Sequence, residues 1–205
     1  MGNIQEELRE KWKSGMKEAL YNAVVKVMAA DGLQGLTMDR ITQEAGIGKG
    51  TIYNYFEDKK DLLRYVVSNS FEPLFAENER ILSSAKPPSQ KLQDYVYNTL
   101  SYFDKHRSFF RVLLDTELSR PRLDSEGRER LRKITSLISG VISEGINGGA
   151  FRPAPPVKLA EMLFFSCVSV TRGRLWREDY SPIEEDARLV IDVFFKGITK
   201  VGEEK

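Results

Sequence analysis

The chain has 205 residues, enough for one or two domains with a substantial buried core. Its 31 Lys and Arg stand against 30 Asp and Glu. That balance excludes a polybasic coat for nucleic acid or membrane, so any electrostatic footprint must be local. The single cysteine, Cys167, excludes an intramolecular disulfide framework and fits a reducing compartment.

Residues 1–12 are polar, with Leu8 and Trp12 as isolated apolar points. They read as an extension of the first helix or a frayed arm, and Glu6, Glu7 and Glu10 argue against an arm laid in a DNA groove. The opening GNIQEELREKWK is too charged for an export signal, and no run of about 18–20 apolar residues is present. The expectation is a soluble, cytoplasmic protein without a membrane partner. Residues 14–31 follow as a helix, with Ala19, Leu20, Ala23, Val24, Val27 and Met28 as one apolar stripe and Gly32 as its stop.

Residues 37–62 are the stretch around which the chain is organised. Thr37 can cap a helix whose apolar positions are Met38, Ile41 and Ala45, and Gly46 supplies a left-handed stop. Ile47 plugs the turn. A second helix is predicted over Lys49–Phe56, with Ile52 and Phe56 inward and Lys49, Thr51, Tyr53, Asn54 and Tyr55 outward. Two short helices joined by a glycine turn make a helix-turn-helix, which lays its second helix in the major groove. Gly50 permits close backbone approach. Lys49 can meet a phosphate or a guanine edge, and Thr51, Tyr53 and Tyr55 can donate to phosphate oxygens. Asp58 caps the next helix, with Lys59 and Lys60 in its first turn. Residues 1–60 carry 9 Lys and Arg and 9 Asp and Glu, so the head has no net basic bias.

Residues 58–84 read as one longer helix kinked at Pro73. After the break SSAKPPSQ, helices are predicted over 91–104, 108–118, 126–147, 157–177 and 183–199, separated by SRPRLDS and by Gly148, Gly149 and RPAPP. No stretch alternates with period two. The fold class is therefore all-α, with about nine helices in two lobes. The expected domains are a DNA-binding domain over residues 1–57 and an effector-binding and dimerisation domain over 58–205.

Run together, GLTMDRITQEAGIGKGTIYNYFEDKKDLL resembles the DNA-binding signature of the TetR family of bacterial transcriptional regulators, and the match is nearly continuous from Ala19 to Leu63. Gly48 stands where that family often has Ser or Thr, and Thr42 where a small alanine is usual. The resemblance implies a DNA-binding face made by Thr37, Lys49, Gly50, Thr51, Tyr53, Asn54, Tyr55 and Lys59. It implies a homodimer formed through the last two helices, for which Phe164, Val168, Val190 and Phe194 are the candidates. It also implies a body cavity for an apolar or aromatic effector, with Phe103, Phe110, Leu114 and Phe165 as candidate lining. The predicted function is a ligand-responsive regulator on a near-palindromic double-stranded operator, read as a repressor with activation as the open alternative. The alternative is a structural DNA-marking protein that uses its body to bind another protein.

Other groups are explained without chemistry. His106 is the one histidine and has no partners spaced for a metal site or a triad. Cys167 lies in an apolar run, where a buried, inert thiol is the default. Glu184, Glu185 and Asp186 suit a helix start. The cluster Arg120–Lys133 reads as a solvated loop and helix face, and Arg172, Arg174 and Arg177 as surface charge or dimer ion pairs, with a greeting for an anionic ligand at a pocket mouth as the alternative. No enzyme, cofactor or metal is expected.

Overall fold

The structure, a computed structural model, describes residues 2–32, 34–114 and 125–198. The side chains of residues 2–14, Lys17, Val112, Leu114, Ser125 and Glu126 also lie outside the description, as does the predicted SRPRLDS break up to Asp124. Among the described residues, ten helices run in chain order: α1 Gly2–Asp31, α2 Met38–Ala45, α3 Lys49–Tyr53, α4 Lys59–Ser70, α5 Glu72–Leu82, α6 Pro88–Lys105, α7 Arg107–Leu114, α8 Ser125–Asn147, α9 Pro156–Arg177 and α10 Ile183–Ile198. The all-α class holds, and the chain forms two compact units.

The first unit contains residues 1–71 together with a short segment that begins at Arg111. Here α1 packs against α2 and α4, and α2 against α3. Leu20, Val24, Val27 and Met28 of α1 are buried, as are Leu36, Ile41, Ile52, Leu62, Leu63 and Val66. Each such aliphatic side chain contributes about 1.5–3 kcal/mol by leaving water. The Phe56 ring closes the bottom of this core against Tyr65, with centroids 5.4 Å apart. Because α4 packs on α1, the first unit extends to Phe71, past the 57/58 boundary expected from sequence.

The second unit begins at Glu72. The helix expected over 58–84 is two helices, with Phe71 between them. Pro73 is therefore not a mid-helix kink. It is the second residue of α5, in the first turn, where a missing N–H removes no ladder bond. Around a core of Leu92, Tyr95, Val96, Leu100, Ile138, Ile142, Leu163 and Cys167, this unit packs α5, α6, α8, α9 and α10. Phe151 plugs the end of α8: a Cβ on Gly145 would lie 2.2 Å from its ring, so this position accepts only glycine without a shift. Two polar seams of this unit are satisfied. Asn78 of α5 donates to Thr99 of α6 at 3.0 Å and accepts from Asn98 at 2.8 Å. The buried Lys91 of α6 pairs with Glu144 of α8 at 2.8 Å.

Candidate nucleic-acid interface

The head is built by its caps. Thr37, extended at φ −112° and ψ 156°, accepts the Arg40 amide through its hydroxyl at 3.1 Å and so starts α2. Gly46 ends α2 at φ 66°, and the Ile47 amide returns to the Thr42 carbonyl at 3.1 Å. Thr42 itself is buried, and its hydroxyl is satisfied by the Asp39 carbonyl at 2.8 Å, so a polar residue fits this packed position. Asp58 caps α4 by accepting the Asp61 amide at 2.7 Å.

The second helix of the motif, α3, is shorter than expected. It ends at Tyr53 instead of Phe56, with Asn54 as its C-cap. Two glycines explain part of this: Gly48 caps α3 with no side-chain bond, and Gly50 sits inside a five-residue helix, where glycine costs about 1 kcal/mol. The chain then tightens, with the Asn54 amide on Thr51 and the Tyr55 amide on Ile52 at 2.9 Å. That tightening keeps Ile52 and Phe56 both buried. Lys49, Gly50, Tyr53 and Asn54 are exposed, and Thr51 and Tyr55 are half-buried. A Cβ built on Gly50 meets nothing within 4 Å, so the backbone there is open to a close neighbour.

Electrostatics explain the neutral head. Lys49 of α3 pairs with Asp39 of α2, Lys26 with Glu44, and Arg40 with Asp31 at 2.9 Å. These cations are therefore partly neutralised in the free protein. Lys59, expected on the DNA-binding face, also has a partner within the head. Its ammonium donates to the Leu36 carbonyl at 2.8 Å, tying the start of α4 to the residue before the α2 cap. Sequence reasoning missed Asp39, because ten residues separate it from Lys49 and only the fold brings the two together.

The family model described as "Bacterial regulatory proteins, tetR family" matches residues 17–66, and a second, described as "Tetracyclin repressor-like, C-terminal domain", matches residues 85–172. The chain belongs to the TetR family. It is 24% identical to the "Fatty acid metabolism regulator protein" of Bacillus subtilis over 153 residues, 74% of this chain and 79% of that one. It is 26% identical to the "HTH-type transcriptional repressor KstR2" of Mycolicibacterium smegmatis over 147 residues, 70% and 71% of the two chains. It shares its fold with the solved "transcriptional regulator FadR from Bacillus subtilis in complex with stearoyl-CoA", at a TM-score of 0.70 and 19% identity over 88% of this chain and 98% of that one. This TetR-family chain is thus a DNA-binding transcriptional regulator.

The expected body residues fall in different places. Phe103 is half-buried and lines a small pocket, and Phe110 is buried against it with centroids 4.6 Å apart. Phe165 is 54% exposed, because it lies on the outward face of α9. The Leu114 side chain lies outside the described residues. Among the residues expected at the dimer interface, Val168 is exposed, while Phe164 and Phe194 are half-buried and pack on the core. Val190 is 8% exposed and belongs to the subunit's own core, so it is not available to a partner. The outward apolar positions of α10 are Leu189 and Val193, which join Met162, Phe165 and Val168 of α9 as exposed apolar side chains. Among the described residues, no helix is long and apolar enough to cross a membrane.

Proposed function

We propose that this regulator is a homodimeric repressor that leaves a near-palindromic operator when an apolar-tailed acyl effector occupies its body. The observation that carries the DNA side is the division of α3 and the turn after it: Ile52 and Phe56 are sealed in the head, while Lys49, Gly50 and Tyr53 face outward. Thr51, Asn54 and Tyr55 flank that face, and Thr37 sets the pose of α2 through its cap. In the dimer, two such helices would meet successive major-groove faces about 34–36 Å apart.

The exposed apolar faces of α9 and α10 support pairing of two copies through those helices, with Met162, Phe165, Val168, Leu189 and Val193 buried on assembly. The acyl class of effector rests on the names of two relatives, one a fatty acid metabolism regulator and the other a regulator solved with stearoyl-CoA. An effector of that kind acts by favouring the head spacing that does not fit DNA. A coupling of about 1–3 kcal/mol would lower operator affinity about 5–150-fold.

The test is fluorescence anisotropy on DNA from the region upstream of the gene, with and without dodecanoyl-CoA. Wild type binds one or a few promoter-proximal sites and is released by the thioester. Tyr53→Ala loses about tenfold or more in affinity while keeping its thermal stability. Binding by Tyr53→Ala equal to wild type would sink the assignment of this face.

A further inference from the structure

Among the described residues, three buried side-chain polar atoms have no hydrogen-bond partner: Ser101 Oγ, Thr171 Oγ1 and Arg174 Nε. Two of the three line the same pocket in the second unit, walled also by Leu100, Phe103 and Leu175 and by the charged Asp104 and Arg107. Thr171 is 7% exposed and Arg174 3%. Buried polar atoms are almost always partnered, and leaving one unmet costs about 1–3 kcal/mol. Two orphans on one wall, three residues apart along one face of α9, are therefore a built feature.

The threonine makes the point sharper. A helical Ser or Thr ordinarily satisfies itself on the carbonyl one turn back. Ser166 does so on Met162 at 2.7 Å in the same helix, and Thr135 does so on Leu131 at 2.8 Å. The Thr171 hydroxyl makes no such bond.

Arg174 is held where it is by everything except its Nε. One terminal nitrogen reaches Asp186 of α10 and Ser181 Oγ, the latter at 3.1 Å. The other reaches the Ser181 carbonyl at 2.6 Å and Asp104 of α6 at 3.3 Å. Burial works against the charge, but the hydrogen bonds to Asp186 and Asp104 outweigh it and hold the group above its ordinary value. The guanidinium is thus a fixed, charged donor with one N–H kept in reserve.

Both orphans can donate; beside them the wall carries the apolar Leu100, Phe103 and Leu175 and the ion pair of Arg107 with Asp104, whose carboxylate is already engaged by two guanidinium groups. We propose that Thr171 Oγ1 and Arg174 Nε are the polar anchor of the effector site, receiving the carbonyl or carboxylate oxygen of an acyl ligand whose chain packs on Leu100, Phe103 and Leu175. This inference rests on the acyl-effector reading above. As it stands the pocket has room for about one water molecule. For the chain to enter, the half-buried Phe103 has to swing off Phe110, on which it rests. Because the same guanidinium joins α6, α9 and α10, occupancy of its Nε bears directly on how those helices are held together.

The experiment uses full-length protein and two probes, dodecanoyl-CoA and dodecanoate, titrated calorimetrically into wild type and Thr171→Val. The valine keeps the shape and removes an unmet hydroxyl, so the variant folds and its melting temperature stays level or rises. The anchor predicts about five- to tenfold weaker binding of whichever probe wild type accepts; the accepted probe says whether a thioester carbonyl or a free carboxylate is read. The Arg174 Nε–H resonance, assigned by its loss in Arg174→Lys, should shift on saturation with that probe. Equal affinity in Thr171→Val, or an unmoved resonance, overturns the anchor while acyl release of the operator, measured in parallel, can still stand. Wild type that binds neither probe overturns both.

Discussion

Lys49, the first residue of the recognition helix α3, is ion-paired with Asp39 in the first turn of α2. Both side chains are exposed, so the pair contributes little to the fold, about 0–1 kcal/mol. Its effect falls on DNA binding. A phosphate approaching Lys49 must compete with a carboxylate already beside it. Asp39→Asn should therefore tighten operator binding by about two- to fivefold and steepen its salt dependence. Affinity measured at several salt concentrations checks this, and binding that weakens in Asp39→Asn would show the carboxylate helps the complex.

Lys59 invites the opposite expectation. Its ammonium is spent on the Leu36 carbonyl, bridging two elements of the head that are 23 residues apart. Lys59→Met should lower the unfolding free energy by about 0.5–1.5 kcal/mol and leave the salt slope of DNA binding nearly unchanged. Lys49→Met should do the reverse, keeping stability and reducing the slope by about one. Urea unfolding and salt titrations on the two variants separate these roles.

The head was largely legible because its determinants are local. Thr37, Gly46 and Asp58 announce their caps by residue type, and the four-residue spacing of Ile52 and Phe56 marks their shared burial. What could not be read was tertiary. The early end of α3 follows from two glycines and a tightened turn, and the partners of Lys49 and Lys59 come from other helices. In the body, periodicity located the helices but not their inward faces. In α10, Leu189, Val190, Ile191, Val193, Phe194 and Phe195 run nearly round the axis, so spacing alone could not separate the buried Val190 from the exposed Leu189 and Val193. Of the pocket orphans, Arg174 was legible only as one of three arginines with several readings, and Thr171 not at all, since a helical threonine usually satisfies itself.

His106 links α6 to α7 and lies against Tyr102, with ring centroids 4.6 Å apart. Burial, and then the neighbouring Lys105, hold its proton affinity below the ordinary histidine value. The unfolded chain therefore takes up the proton first as pH falls, and over that window it binds more protons than the folded chain. The stabilising contribution is complete above the unfolded pKa of about 6.5. It is lost as pH drops through the lower folded value. His106→Gln should flatten this part of the stability profile. Urea midpoints between about pH 5 and pH 8 would show it, and an unchanged slope would place the titration elsewhere.

Two neighbouring valines of α10 should separate assembly from folding. Val193 is 67% exposed, so replacing it costs the isolated subunit little. If α9 and α10 form the contact between copies, an aspartate there buries an unpaired charge in the interface, and Val193→Asp should give folded monomers. Val190 is packed in the core of the same helix. Val190→Ala should cost about 1–3 kcal/mol of stability through the lost methyl groups and the cavity they leave, without releasing the partner. Sedimentation velocity reads the first variant and thermal unfolding the second. Operator binding supplies a further check, since a half-site held by one head gains nothing from its neighbour: the Val193→Asp monomer should bind the full operator no better than a single half-site. A Val193→Asp protein that sediments as wild type would move the contact to another face.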